Sequence, residues 1–142
     1  MTTNWFYWAI LSAVFAALTA IFAKIGIEKV DSDLATLIRT FVIGLVLAIF
    51  IYATGKWSNP FTLSSRTLLF LILSALATGA SWVCYFRALK MGQAANVAAI
   101  DKFSVVLVAV FAFVFLHERL LLREWLAVLM IGGGVVLLAI KK

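Results

Sequence analysis

The sequence predicts an all-α, polytopic membrane protein with five transmembrane helices, and three observations lead to this fold class. Of the 142 residues, 65% are apolar and only 13% are charged, which is too little polar surface for a soluble domain of this length. The apolar residues form five continuous runs of about 17 to 23 residues, each able to cross a hydrocarbon core of about 30 Å as a helix. The runs lack the alternation with period two that a membrane β-barrel would show.

The five helices are expected at about residues 5–27, 34–54, 67–89, 94–116 and 124–140. Asp31 or Asp33 is suited to cap the second helix, and Ser64 or Ser65 the third, because short oxygen-bearing side chains accept the first free backbone N–H groups. Pro60 marks a turn in the longest connection. The glycines at 132–134 predict close packing of the fifth helix against a neighbour. All connections are short.

The connections are too short to hold a second domain, so residues 1–142 are expected to form one transmembrane domain. An odd number of spans places the two ends of the chain on opposite faces of the membrane. We call the face of residue 1 side A and the other face side B.

The basic residues give a weak orientation signal. Side A has four of them and side B seven, which favours side B in the cytoplasm. The side A residues are Lys56, Arg66, Arg119 and Arg123, and those near side B are Lys24, Lys29, Arg39, Arg87, Lys90, Lys141 and Lys142. Three of the seven lie inside spans, and without them the count is four against four. The net charge of +6 is interpreted as contact with lipid headgroups, with no nucleic acid as partner.

Several ionisable residues lie inside the expected spans, where each costs about 2.5–3.5 kcal/mol near a helix centre on insertion scales. Counting about 1.5 Å per residue, Arg39, Asp101 and Lys102 lie about 5–7 Å from the midplane. For these three, structural pairing and contact with a solute or ion remain open alternatives. Lys24 and Arg87 lie about 12–13 Å out, where they can extend toward the membrane surface.

The third span carries hydroxyl side chains at intervals of four, three and four residues, which places them on one helix face beside Trp82: Ser74, Thr78, Ser81 and Tyr85. Ser104 follows Asp101 by three residues. Such a stripe can serve hydrogen bonding between helices or can line a solute site. The sequence contains no catalytic triad, zinc motif or phosphate-binding loop, and we expect no enzyme activity, no metal and no cofactor.

Three segments resemble the drug/metabolite transporter superfamily, in particular a single EamA-type unit. The sequence FAKIGIEKVDSDLATLIRT places Lys24 and Arg39 at positions typical of the family. RALKMGQAANVA matches the family's Ala-Leu-x-x-Gly-x-Ala turn. FLHERLLLREWLAVLMIGGGVVLL is similar to its Leu-Gly-Glu turn followed by a glycine-bearing last helix. These segments cover residues 22–40, 87–98 and 115–138.

The resemblance implies that the five helices form one half of a ten-helix inverted-repeat transporter fold, as in the short bacterial and archaeal members. It implies an exporter-type carrier of metabolites, amino acids or drug-like solutes in the cytoplasmic membrane. Many relatives carry prolines in the fourth helix, whereas this chain has Ala99 and Val105 at the nearest positions. The Asp101–Lys102 pair resembles the short members and could replace a broken helix.

We therefore expect a small-solute transporter that works as a homodimer by alternating access. The substrate site is expected to contain Arg39, Trp82, Tyr85, Asp101, Lys102, Thr78, Ser81 and Ser104, with Lys24 and Arg87 as a basic approach from side B. With proton coupling, Asp101 would be the responsive group. An antiparallel homodimer is slightly favoured over a parallel one. The alternatives are a non-transporting membrane subunit or assembly factor, whose polar residues serve helix packing, and an intramembrane enzyme.

Overall fold

The computed structural model describes residues 4–140 and confirms the all-α fold class. The helices are α1 (Asn4–Gly26), α2 (Ser32–Ala53), α3 (Ser65–Met91), α4 (Ala94–Asp101), α5 (Phe103–Phe115) and α6 (Leu122–Ala139), with a short 3₁₀ turn at Pro60–Thr62. Five spans are long and apolar enough to cross a membrane, at Trp5–Gly26, Ser32–Ala53, Ser65–Met91, Ala94–Phe115 and Leu122–Ala139. The basic residues Lys141 and Lys142, which entered the orientation count, lie outside the described residues.

The fourth span is present at Ala94–Phe115, close to the predicted bounds, and it contains a turn that the sequence did not predict. It consists of α4 and α5, which are separated by Lys102. The N–H of Lys102 donates to Ala99 O at 3.1 Å, and Lys102 O accepts from the N–H of Val105 at 3.0 Å. Both bonds connect residues three apart, as in a 3₁₀ helix, and such a turn within a longer helix often marks a hinge.

The structure shows which of the candidate residues cap α2 and α3. Asp31 Oδ1 accepts from the N–H groups of Asp33 at 2.9 Å and Leu34 at 3.1 Å, so Asp31 caps α2. Ser64 Oγ accepts from the N–H of Thr67 at 3.1 Å at the start of α3. In each case the side chain satisfies backbone donors that have no partner inside the helix.

The described chain divides into two compact units. The first contains residues 4–20 and 91–140, and within it α6 packs against α4 and α5. The packing is close at Gly132, where a Cβ atom would lie 3.1 Å from Val106 Cγ2. The interpretation of the glycine run as a packing feature therefore holds at its first position, whereas Gly133 and Gly134 have nothing within 4 Å.

The second unit is Ile21–Lys90, with the last turn of α1, all of α2 and α3, and the loops between them. Its most buried side chains are Ile27, Phe86 and Leu89, which are 2%, 1% and 0% exposed. Two of the three lie in the last turns of α3, so the buried part of this unit is near one end of its helices. The polar contacts described below lie at the same end.

Candidate functional site

Arg39 of α2 lies against two aromatic rings of α3. Its guanidinium carbon is 5.2 Å from the ring centre of Trp82 and 4.5 Å from that of Phe86. Both distances are within the range of cation–π attraction, which strengthens where water is excluded. Trp82 and Phe86 are four residues apart and therefore share a helix face. Sequence reasoning missed Phe86, although this spacing from Trp82 was a usable signal.

The aromatic contacts hold the Arg39 side chain without using its hydrogen-bonding groups. A guanidinium carries five N–H donors, and within Ile21–Lys90 no acceptor is hydrogen-bonded to Arg39. The side chain is half-buried. It is thus a positioned cation whose N–H edge suits a planar, two-oxygen acid group.

Arg87 forms a two-pronged ion pair with Asp33, which joins the end of α3 to the start of α2. Arg87 Nε donates to Asp33 Oδ1 at 3.0 Å, and Arg87 Nη2 donates to Asp33 Oδ2. Both side chains are about half exposed, at 59% and 46%. In the sequence, Asp33 was a candidate only for a helix cap, because its pairing with Arg87 depends on how α2 and α3 meet. Arg87 is therefore engaged by a carboxylate at the place where a basic approach was expected.

Two lysines make further contacts at this end of the unit. Lys24 Nζ donates to Leu89 O at 2.7 Å, and Lys90 Nζ donates to Val30 O at 2.8 Å. The carbonyls in the last turn of a helix have no partner inside it and carry partial negative charge, so a cation is favourable there. Lys24 thus connects the last turn of α1 to the last turns of α3.

Part of the hydroxyl stripe of α3 forms a hydrogen bond within the same helix. Thr78 Oγ1 donates to Ser74 O at 2.9 Å, a bond within one helix. Thr78 and Ser81 are exposed, whereas Tyr85 is half-buried with its ring centre 6.1 Å from that of Phe86. Tyr85 is thus next to the aromatic pair that contacts Arg39.

Asp101 and Lys102 lie at the interruption between α4 and α5. Lys102 Nζ is 3.7 Å from Asp101 Oδ2, and the two side chains are 57% and 38% exposed. Ser104 is exposed in the first turn of α5. The alternative pairing of Asp101 with Arg39 joins residues of different units and remains a prediction. Among residues 4–140 no group of three or more His, Cys, Asp or Glu residues could hold a metal ion.

Comparison with known proteins gives one family and one close relative. The sequence pattern of the EamA-like transporter family matches residues 3–140. A Sinorhizobium sp protein named "Uncharacterized transporter in cobO 3'region" is 56% identical over 140 residues, which are 99% of each chain. No solved structure matches the chain. The resemblance drawn from the three sequence segments is therefore confirmed.

Proposed function

The chain belongs to the EamA-like transporter family and is a multi-pass transporter of the cell membrane, and we propose that it moves small anionic solutes by alternating access as a homodimer. The solute classes implied are metabolites, amino acids and drug-like compounds that carry an acid group. A single observation carries this proposal, and the remaining features support it.

That observation is the interruption of the fourth span at a charged pair. Transporters of small solutes often use discontinuous membrane helices, because the interruption supplies polar groups and a point of bending within the membrane. In this chain the interruption lies at Lys102, within three residues of the middle of Ala94–Phe115. No proline causes it, because Pro60 is the only proline in the sequence. Ionisable residues at such depth are costly and commonly mark a solute or ion pathway.

The preference for anions is supported by Arg39. The rings of Trp82 and Phe86 contact its guanidinium. The Arg39 side chain, with its N–H donors, is therefore held in place before a ligand binds. Ordering a binding group before the ligand arrives reduces the entropy cost of binding. A carboxylate would accept two parallel N–H bonds from this edge. The aromatic rings would at the same time contact an apolar part of the solute.

The homodimer is proposed because alternating access needs two halves of opposite orientation. Carriers of this type pair two halves of opposite orientation, and residues 4–140 contain five spans. A second copy inserted in the opposite orientation would supply the other half. The balanced basic residues outside the spans allow insertion in both directions. A parallel dimer with side B in the cytoplasm is the alternative arrangement.

Export and proton coupling are the finer parts of the proposal. Asp101 is the acid of the charged pair at the interruption, and protonation of its carboxylate would release Lys102 from the ion pair. The loss of this ion pair would couple protonation of Asp101 to bending of the fourth span. Export is the direction implied by the family resemblance.

The test is solute flux in liposomes that contain only the purified protein. A panel of carboxylates, neutral amides and quaternary ammonium compounds is loaded inside, and efflux is followed with and without a pH gradient. We expect efflux of carboxylates, loss of efflux in Arg39→Gln, and no dependence on the pH gradient in Asp101→Asn. Glu118→Gln, an acid-to-amide change at an exposed loop residue, is the matched control and should behave as the original protein does.

Three results would contradict the proposal. Efflux of quaternary ammonium compounds without competition from carboxylates would exclude the anionic substrate class. Unchanged efflux in Arg39→Gln would remove Arg39 from the solute path. Absence of flux for the whole panel, in a protein that unfolds cooperatively, would favour the non-transporting membrane subunit or assembly factor.

A further inference from the structure

A cavity of about 450 Å³ lies at one end of the Ile21–Lys90 unit. Its lining combines two ammonium groups, one carboxylate and two isoleucines: Lys24, Lys90, Glu28, Ile25 and Ile27. The proposed transport cycle uses Lys24 only as part of a basic approach and does not use the rest. The cavity has the size of a small-ligand site.

Both lysines of the cavity are held in place by backbone carbonyls. Lys24 Nζ donates to Leu89 O and Lys90 Nζ to Val30 O. Two ammonium groups fixed beside one cavity form a positively charged pair whose side chains are already ordered, which lowers the entropy cost of binding an anion.

The charge of the lining is positive. Two lysines face the cavity together with one acid, Glu28. Arg87, another cation at this end, forms an ion pair with Asp33, so these two charges compensate each other. The partial negative charge at the end of α3, which would repel an anion, is met by the bond from Lys24 to Leu89 O.

The position of the cavity indicates whether a bound anion would come from a lipid headgroup or from solution. It lies where α1 ends at Gly26 and α3 reaches its last turns, which is where a span meets the headgroup region. Phe22 and Ile25, three residues apart on α1, are each 66% exposed. They offer an apolar surface for an acyl chain directly beside the charged groups.

We propose that this cavity binds a phosphate group, and that its occupant is the phosphodiester of an anionic phospholipid whose acyl chain lies along α1. Lysine is a common ligand of phosphate, which it binds as a compact point charge. The bound lipid connects α1 to the end of α3 and stabilises this end of the unit. The site shares Lys24 with the basic approach to the solute site, but lipid binding here does not require that the chain transports.

The test is thermal unfolding of the purified full-length protein in a neutral detergent while phosphatidylglycerol is titrated. Binding to the folded state raises the unfolding temperature. We expect half-saturation to require about five-fold more lipid in Lys24→Gln and in Lys90→Gln, since each basic residue near a membrane surface contributes by about that factor. Lys56→Gln, the same change at an exposed lysine after α2, should leave the titration unchanged.

Two soluble or neutral probes separate the sources of the anion. Glycerol phosphate has the same phosphate chemistry without acyl chains, and diacylglycerol has the chains without the phosphate. Stabilisation by phosphatidylglycerol alone assigns the site to lipid. Equal stabilisation by glycerol phosphate, with the same loss in both lysine variants, retains the phosphate site and assigns it to a soluble compound.

A gain of affinity provides evidence that does not depend on the folding of the lysine variants. Glu28→Gln removes the one acid of the lining and should lower the half-saturating lipid concentration by about five-fold. The proposal is overturned if Glu28→Gln binds no tighter. It is also overturned if diacylglycerol stabilises as well as phosphatidylglycerol, or if folded lysine variants respond as Lys56→Gln does.

Discussion

Replacing Gly132 by alanine should weaken the packing of α5 against α6. The added Cβ would lie 3.1 Å from Val106 Cγ2, about 0.4 Å inside the lower end of ordinary carbon–carbon contact. Val106 is β-branched and half-buried, so its methyl group cannot rotate away freely. Helices in membranes use small residues where their backbones approach closely, and the contact shows that Gly132 is such a place.

The expected size follows from two opposing effects. Alanine gains about 1 kcal/mol over glycine in helix propensity, and overpacking a filled contact costs about 1–3 kcal/mol. Gly133→Ala has the same propensity gain, but nothing lies within 4 Å of its Cβ. The difference in unfolding free energy between the two variants therefore isolates the contact, and we expect Gly132→Ala to be less stable by about 1–3 kcal/mol.

The measurement is reversible unfolding in mixed micelles, with Gly133→Ala and Gly134→Ala as matched controls. A second expectation uses the neighbour: Val106→Ala should remove part of the penalty of Gly132→Ala, giving a coupling energy between the two sites. Equal stability of Gly132→Ala and Gly133→Ala would refute the reasoning, because it would mean that the helices separate at no cost.

Three further predictions concern the charged pair, the orientation and one loop. Asp101→Asn leaves Lys102 without its carboxylate, and we expect a loss of stability approaching the roughly 2.5–3.5 kcal/mol cost of a charge within a span. The double variant Asp101→Asn with Lys102→Gln should regain part of this stability in the same unfolding assay. Unchanged stability of the single variant would contradict the pairing. Cysteines introduced singly at Asn59 and Lys142, in a Cys84→Ala background, should each be partly labelled from outside intact cells if the chain inserts in both orientations; full labelling at one site and full protection at the other would indicate a single orientation. His117 has a φ of 55°, a left-handed conformation that glycine adopts without strain and β-branched residues resist. In chemical denaturation, His117→Gly should therefore be more stable than His117→Val by about 1–2 kcal/mol. Equal stability of the two variants would exclude backbone strain at this loop.

The sequence by itself determined the fold class, the number of spans and the family. A membrane span depends on the length and apolarity of a continuous segment, and these are properties of the sequence order alone. A cap at Asp31 or Asp33 was likewise predictable, because a capping side chain bonds to backbone groups only two and three residues away, as Asp31 does. Depth within a span also follows from residue counting, which is why the amino-acid order alone identifies Asp101 and Lys102 as unusual.

Only the tertiary structure decided which partners the polar residues take. Arg39 meets Trp82 and Phe86, and Arg87 meets Asp33, across 43, 47 and 54 residues of chain. Such contacts depend on the rotation of each helix about its axis and on its crossing with the next, which the pattern of apolar residues leaves undetermined when every face is apolar. The interruption at Lys102 also escaped prediction, because without proline or glycine the local sequence permits both a continuous helix and a 3₁₀ turn. Both helices that flank it pack against α6.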